Sequence, residues 1–253
     1  MKKVVYILGS PRSGSTMLDL IIASHPECAS VGELCLLEKR ACGLCGGGCD
    51  YWLDYRHALV GGRYYETAFD VFGKDITVDS SKKWRWLNAR MGWEKYEYKI
   101  IHLVRNGLDR LKAKKRLDGY IDKKVVQGWV NTHTRCEEIR KKHKGLLVRY
   151  EDIVHDSTFE EIFDFIGIDW SPDYRKFWEY EHHGLLGSKS AYALVKAHRG
   201  IEDEHSAFVK QHGFNLAPRL GHEFLDKKDI KTFIKHGGEM LNRKLGYGSH
   251  RDK

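Results

Sequence analysis

The sequence predicts an α/β fold of three layers, in which a central parallel sheet is flanked by helices on both faces. The first observation is the apolar, β-branched run at 4–8, which is typical of a strand buried on both faces. The second is that helical periodicity follows this run and recurs after each later apolar run. Strands that alternate with helices indicate a parallel sheet covered by helices.

The remaining elements follow in chain order. Further strands are predicted at 76–78, 99–104 and 146–150, and helices at 16–22, 83–91, 106–117, 123–142 and 158–166. An amphipathic pattern predicts one helix over 226–245 that closes the domain. The polar, weakly patterned stretch at 185–222 predicts a lid or binding insertion. With 253 residues, the chain is expected to form a single domain over 1–253.

Charge and hydropathy limit the classes of partner that the chain is expected to bind and the compartment in which it is expected to lie. The chain has 43 Lys and Arg against 35 Asp and Glu, a net charge of +8, which favours an anionic partner. The sequence has neither aromatic residues interleaved with its basic runs nor a recognisable reader motif, so it does not indicate a nucleic-acid binder. No apolar stretch approaches the length of a membrane span, and the apolar run at 4–8 is too short for a signal peptide, so we expect a cytoplasmic protein.

A glycine-bounded loop, G-S-P-R-S-G-S-T at 9–16, separates the first strand from the first helix. At this position backbone N–H groups and the helix dipole bind phosphate oxygens. Gly9, Gly14 and Thr16 have the spacing of a Walker A loop, but Ser15 occupies the lysine position and Arg12 supplies the cation. The missing lysine disfavours a nucleotide kinase or other NTPase, which remains an alternative with a degenerate loop.

The sequence P-R-S-G-S-T after a buried strand resembles the 5′-phosphosulfate loop of sulfotransferases that use 3′-phosphoadenosine 5′-phosphosulfate (PAPS). Further segments resemble, in order, those of bacterial enzymes related to tyrosylprotein sulfotransferases: H-P followed by G-E at 25–33, V-D-S-S-K at 78–82, L-V-R-N at 103–106, V-R-Y-E-D-I at 148–153 and L-G-Y at 245–247. The resemblance covers 4–247 apart from 185–222. It implies a P-loop-like fold, PAPS as co-substrate, and a hydroxyl or amine acceptor on a small molecule, glycan or peptide.

The resemblance also implies roles for individual residues. Arg12 would stabilise charge on the transferred group, Glu33 would act as the general base, and Lys82 would contact the bridging oxygen of the leaving group. By its position alone, Glu33 is a loop carboxylate after a glycine, which is more often a solvated cap. The donor's 5′-phosphate would lie on the loop residues Pro11, Arg12, Ser13, Gly14, Ser15 and Thr16.

Arg105, at the end of a predicted strand, would bind the donor's 3′-phosphate. The sequence departs from the family here, because Ala113 occupies the position of the usual partner serine, eight residues after the arginine. Lys112, Arg116 or the pair at 199–200 could replace that serine. The departure also leaves open an inactive nucleotide- or glycan-binding module.

The implied mechanism requires no metal. Four cysteines within fifteen positions could hold a structural zinc, but they lack a second C-x-x-C pair, so reduced thiols are the favoured interpretation: Cys35, Cys42, Cys45 and Cys49. His182 and His183 have no second ligand group at a usable spacing and are interpreted as polar loop residues. His102, inside an apolar strand, is interpreted as a core histidine.

Overall fold

The structure of the chain, a computed structural model, describes residues 1–46, 48–93, 96–212 and 225–248. A five-stranded sheet with parallel neighbours lies at its centre. The strands are β1 (Lys3–Gly9), β2 (Cys28–Gly32), β3 (Ile76–Lys82), β4 (Glu97–Val104) and β5 (Leu146–Arg149), in the order β2-β3-β1-β4-β5. The predicted parallel sheet is confirmed, and β2 is a strand that the sequence analysis did not predict.

Eleven α-helices lie within the described residues. They are α1 (Ser15–Ile22), α2 (Asp50–Ala58), α3 (Tyr64–Phe72), α4 (Trp84–Trp93), α5 (Gly107–Asp118), α6 (Lys123–Lys142), α7 (Asp156–Ile166), α8 (Lys189–His198), α9 (Glu204–His212), α10 (Lys227–Lys235) and α11 (Gly238–Lys244). The predicted helix at 123–142 has the observed bounds of α6. None of the helices in this described part combines the length and hydropathy that a bilayer span requires.

Side chains along β1 alternate between two cores and so define the layers. Val5 and Ile7 pack in a core with residues of α1 and α7, whereas Tyr6 and Leu8 face a second core with residues of α4 and α6. All four side chains are fully buried. A buried side chain of this kind stabilises the fold by about 1.5–3 kcal/mol. Because β1 buries such side chains on both faces, it stabilises the packing of both helical layers against the sheet. The predicted three-layer arrangement is confirmed.

The prediction of one helix over 226–245 is wrong, because the chain forms α10 and α11 with a break between them. Gly237 has a φ of 84°, a left-handed conformation that interrupts a helix. Gly238 then approaches the ring of Phe233 so closely that a Cβ would lie 2.2 Å from it. Two consecutive glycines therefore allow α11 to turn back against α10.

The stretch at 185–222 includes α8 and α9, and its residues 213–222 lie outside the described residues. Helix α8 buries Tyr192 and Val195 in the core shared with α1. At the start of the stretch, Leu185 forms a parallel bridge with Gly32, the last residue of β2. The stretch therefore begins beside the carboxyl end of a strand.

The strand order reverses at β1, whose neighbours are β3 on one side and β4 on the other. In open α/β sheets, ligands bind in the crevice outside the carboxyl ends of the strands at such a reversal. The loop between β1 and α1 lies at this point, so this edge of the sheet is the expected ligand site.

Candidate active site

Four neighbouring strands each end at a residue that the sequence analysis selected. Arg12 follows β1, Glu33 follows β2, Lys82 is the last residue of β3, and Arg105 follows β4. Because all four strands are parallel and adjacent, their carboxyl ends meet at one edge of the sheet. Residues separated by up to 93 positions are thereby brought to one crevice.

The loop between β1 and α1 has a backbone that depends on glycine. Gly14 has a φ of 86°, and a Cβ there would lie 2.4 Å from the ring of Tyr150. Arg12 is also left-handed, with a φ of 73°, and is exposed. No side chain caps the start of α1, so the N–H groups of its first turn face the loop. This arrangement suits an anion.

The other polar groups of the loop have defined partners. The Thr16 hydroxyl accepts a hydrogen bond of 2.9 Å from the backbone N–H of Ser188, which leaves its own proton for an acceptor in the crevice. Ser13 is 1% exposed, and its hydroxyl lies 3.1 Å from that of Ser10. The loop is therefore anchored by the contact between Ser10 and Ser13 and by the bond from Ser188 of the 185–222 stretch.

A buried chain of hydrogen bonds extends from this loop to α6. Ser10 Oγ lies 3.0 Å from His133 Nε2, His133 Nδ1 lies 2.8 Å from His102 Nε2, and His102 Nδ1 lies 3.2 Å from Glu137. Burial lowers the pKa of both histidines, so both rings are neutral. If the Glu137 carboxylate accepts from His102, each ring must then accept from the next group, and Ser13 must donate to Ser10. His102 is confirmed as a core histidine.

Lys82 and Glu33 form an ion pair with 2.8 Å between Nζ and Oε1, and their side chains are 9% and 17% exposed. Lys82 has a φ of 65° and also donates to the carbonyl of Ser80 at 2.8 Å. The Glu33 backbone N–H donates to the carbonyl of Leu185 at 2.7 Å. The carboxylate and the ammonium are thus held together at the ends of β2 and β3.

Asp19 on α1 lies below this pair and is 1% exposed. The Ser80 hydroxyl donates to it at 2.7 Å. Burial raises the pKa of Asp19 to about 7, although hydrogen bonds from Ser80 and Ser30 and the charge of Lys82 oppose the shift. The sequence analysis did not select Asp19, because it lies within an apolar helix.

Arg105 and Arg110 extend the positive charge beyond β4. Arg105 Nη1 donates to the carbonyl of Arg12 at 3.3 Å, and its guanidinium lies 4.9 Å from the centroid of the Tyr150 ring. On α5, burial lowers the pKa of Arg110, and the charges of Arg12 and Arg105 lower it further against the opposite effect of Asp118. Arg110 Nε and Nη1 are buried and have no hydrogen-bond partner among the described residues.

The sequence analysis did not select Arg110, and other residues were offered in place of the serine at 113. Lys112 lies beside Ala113 on α5 and is 6% exposed, whereas Arg116 is exposed. Arg199 donates to the carbonyl of Tyr180 at 3.4 Å. The positive charges of Arg12 and Arg105 act on Arg110, which places its guanidinium near theirs.

His183 lies in a loop, as expected from the sequence, but it is not isolated from other ligand groups. Its ring lies with three thiols, those of Cys42, Cys45 and Cys49, whose ligand atoms are all within 4.8 Å of one another. Cys35 is outside this group, and its backbone N–H donates to Ser81 Oγ at 3.0 Å. His182 is buried and lies 2.8 Å through Nε2 from the carbonyl of Phe177.

No family model matches the chain, and no curated protein matches it. Solved structures do match, and sulfotransferases are among them. The sulfotransferase domain from the curacin biosynthetic pathway is 16% identical with a TM-score of 0.57, and the match covers 98% of this chain and 99% of that one.

A mouse sulfotransferase, SULT7A1 complexed with PAP, is 15% identical with a TM-score of 0.53, over 96% of this chain and 86% of that one. At these identities the comparison establishes the fold. The chain has the P-loop-like α/β fold of sulfotransferase domains, as the sequence analysis predicted.

Proposed function

We propose that the chain is a sulfotransferase that moves a sulfuryl group from PAPS to a hydroxyl, or less readily an amine, of a small-molecule, glycan or peptide acceptor. The bond between sulfur and the donor's phosphate oxygen breaks, a bond from sulfur to the acceptor forms, and 3′-phosphoadenosine 5′-phosphate (PAP) and a proton are released. The observation that carries this proposal is the convergence of Arg12, Glu33, Lys82 and Arg105 at four adjacent strand ends. The fold shared with a PAP-bound sulfotransferase supports it.

Arg12 and the loop supply the charge stabilisation. In sulfuryl transfer, negative charge spreads over the equatorial oxygens while the attacking and leaving atoms lie in line, so positioned cations and N–H donors lower the barrier. Arg12 is exposed at the crevice, and the uncapped first turn of α1 offers N–H groups to the 5′-phosphate. The hydroxyl of Thr16 adds a donor beside them.

The ion pair between Lys82 and Glu33 divides into two roles when substrates bind. The ammonium turns to the bridging oxygen of the donor, where charge develops as the bond breaks. The carboxylate is then released to accept the proton of the acceptor hydroxyl. Their 2.8 Å contact places the two groups close enough to serve the two ends of one in-line reaction.

Arg105 and Arg110 bind the 3′-phosphate. Two nitrogens of Arg110 are buried without a partner among the described residues, and an unsatisfied buried donor of this kind is costly. A phosphate placed between the guanidinium groups would satisfy these donors and offset their mutual repulsion. Arg110 thereby takes the role of the serine whose position Ala113 occupies.

The 185–222 stretch binds the acceptor. Its first residues contact both halves of the site: the Leu185 carbonyl accepts from Glu33, and the Ser188 N–H donates to Thr16. A segment that contacts the base and the phosphate loop is positioned to cover the donor and to receive the acceptor.

Calorimetric titration with PAP, AMP and ATP with magnesium tests the donor class. We expect PAP to bind most tightly, because only PAP offers a 3′-phosphate to Arg105 and Arg110. Removing a charged hydrogen bond costs about 1.5–3 kcal/mol, so Arg105→Ala and Arg110→Ala should each weaken PAP by about tenfold to a hundredfold. Binding of AMP should change little.

Arg135→Ala is the matched control, because Arg135 is 55% exposed and pairs with Glu138 on α6. Its affinity for PAP should equal that of the unmodified protein. Preference for ATP with magnesium would instead support an NTPase, and equal affinity for PAP and AMP would refute the roles of Arg105 and Arg110.

A further inference from the structure

Three thiols and one imidazole converge beside the 185–222 stretch. The ligand atoms of Cys42, Cys45, Cys49 and His183 all lie within 4.8 Å of one another. His183 Nδ1 is 3.4 Å from Cys45 Sγ and 3.3 Å from Cys49 Sγ. Tetrahedral zinc has bonds of about 2.3 Å to sulfur and about 2.1 Å to nitrogen, which correspond to a sulfur-to-nitrogen edge of roughly 3.6 Å. The observed separations are within a few tenths of an ångström of that edge.

The backbone brings the first two thiols to one side. The Cys45 N–H donates to Cys42 Sγ at 3.4 Å, and the Gly46 N–H donates to the Cys42 carbonyl at 3.0 Å. Gly46 has a φ of 76°, so the chain reverses directly after the second thiol. A turn of this shape holds the two sulfurs together and supplies an N–H donor to one of them.

The imidazole is oriented from the opposite side. His183 Nε2 is 2.9 Å from a carboxylate oxygen of Glu181, which retains the ring proton at Nε2 and leaves the lone pair of Nδ1 directed at the thiols. The ring also packs on Tyr51, with 4.2 Å between centroids. The Trp52 indole N–H donates to the His183 carbonyl. Metal-bound histidines in proteins have this kind of carboxylate support.

We propose that Cys42, Cys45, Cys49 and His183 bind one structural Zn²⁺ ion. Three thiolates and one imidazole are a ligand set that selects zinc, and four protein ligands complete a tetrahedron and leave no open position for a substrate. The thiols release their protons to solvent as the metal binds. The site is separate from the proposed sulfuryl transfer and does not depend on it.

The metal would fix the strand end that carries Glu33. Around the ligands, the Gly43 N–H donates to the Gly184 carbonyl at 3.0 Å, and Leu185 exchanges hydrogen bonds with the segment at 31–33. The ion therefore joins the loop after β2 to the start of the 185–222 stretch through covalent ligands as well as hydrogen bonds. Zinc would have a positioning role here, because its four ligands all come from the protein.

The first experiment measures zinc in the full chain, purified under reducing conditions and without metal-affinity chromatography. We expect one zinc per chain, retained on dialysis, and removal by a chelator under acid conditions. Addition of Co²⁺ to the metal-free protein should produce the visible bands of a tetrahedral ion and a thiolate charge-transfer band. Absence of these bands in protein whose thiols are shown to be reduced would overturn the proposal, as would a disulfide among the three cysteines in the freshly purified protein.

Ligand identity is tested with variants of matched chemistry. Cys45→Ser and His183→Gln should lose the stoichiometric ion, whereas Cys35→Ser should retain it, because Cys35 is outside the cluster. Loss of zinc in Cys35→Ser and retention in His183→Gln would refute this ligand set. Since a ligand variant can also unfold, Glu181→Gln provides a milder change.

Loss of a carboxylate that hydrogen-bonds a metal-bound histidine lowers metal affinity by about 10- to 100-fold. Glu181→Gln should therefore weaken zinc by that factor in competition with a chromophoric chelator, with the fold intact by circular dichroism. Glu179→Gln, two positions earlier, is the control and should not change the affinity. Equal affinities in the two variants would refute the orientation of His183 by Glu181. These readouts are independent of sulfotransferase activity.

Discussion

The buried carboxyl of Asp19 should make the stability of the protein depend on pH in a specific direction. Burial raises its pKa from 3.8 to about 7 in the folded chain. A group whose pKa is raised by folding stabilises the folded state fully below its unfolded pKa, and this contribution is lost as the pH rises towards the folded pKa. The relevant window therefore runs from about pH 4 to about pH 7.

The size of the effect follows from the shift. A difference of about three pH units, at about 1.4 kcal/mol for each, corresponds to roughly 4 kcal/mol lost above pH 7. An asparagine does not titrate, and its side-chain oxygen still accepts from the Ser80 hydroxyl that now bonds Asp19 at 2.7 Å. Asp19→Asn should therefore raise the free energy of unfolding by up to about 4 kcal/mol at pH 8, and the gain should disappear near pH 4.

Urea unfolding at several pH values between 4 and 8 measures this difference. Asp54→Asn is the control, since Asp54 is exposed on α2 and its substitution should change the free energy of unfolding by less than about 0.5 kcal/mol at every pH. A difference between Asp19→Asn and the unmodified chain that is constant across the range would refute the assignment of a shifted carboxyl. So would a loss of stability at pH 8.

Two further variants test the site and the loop beneath it. Glu33→Gln should lower turnover by about a hundredfold or more, because general base catalysis contributes that much, while PAP affinity stays constant. Glu38→Gln, an exposed control, should retain turnover. A fully active Glu33→Gln would show that Glu33 is not the general base. His133→Phe removes the partner of His102 Nε2 and one of the two partners of Ser10 Oγ, so it should lower the free energy of unfolding by about 1–3 kcal/mol at pH 7.5, whereas the exposed His205→Phe should cause no change. A stable His133→Phe would show that the buried chain of hydrogen bonds is not structural.

The central strands were predictable from local sequence because both of their faces are buried. The runs that form β1 and the second half of β4 are apolar and buried, a pattern set by their position between two layers of helices. Strand β2 has the sequence C-A-S-V-G, whose small residues have little β-propensity, and it forms because it pairs with β3. The break at Gly237 was missed because amphipathic periodicity continues through it.

The same distinction applies to the candidate site. Arg12, Glu33, Lys82 and Arg105 follow strands, so a local motif indicates their common edge once the sheet is parallel. His183 joins the three thiols from 134 positions beyond Cys49, and this proximity results from the bridge between Gly32 and Leu185. No spacing rule along the chain contains that information, since it depends on tertiary pairing.

Several energetically costly features lie at the carboxyl edge of the sheet. Arg12 and Lys82 are both left-handed, at φ of 73° and 65°, and a non-glycine residue in such a conformation costs of order 1–3 kcal/mol. The buried carboxyl of Asp19 lies near the same edge, and so do Arg110 Nε and Nη1, which have no hydrogen-bond partner in the part of the chain that the structure describes. Arg12 and Lys82 are two of the four non-glycine residues with positive φ among the described residues, and both were selected from the sequence for catalysis. A ligand that supplies anionic acceptors to the buried donors of Arg110 would stabilise the fold, and a doubly phosphorylated nucleotide has the charge and the acceptors to do so.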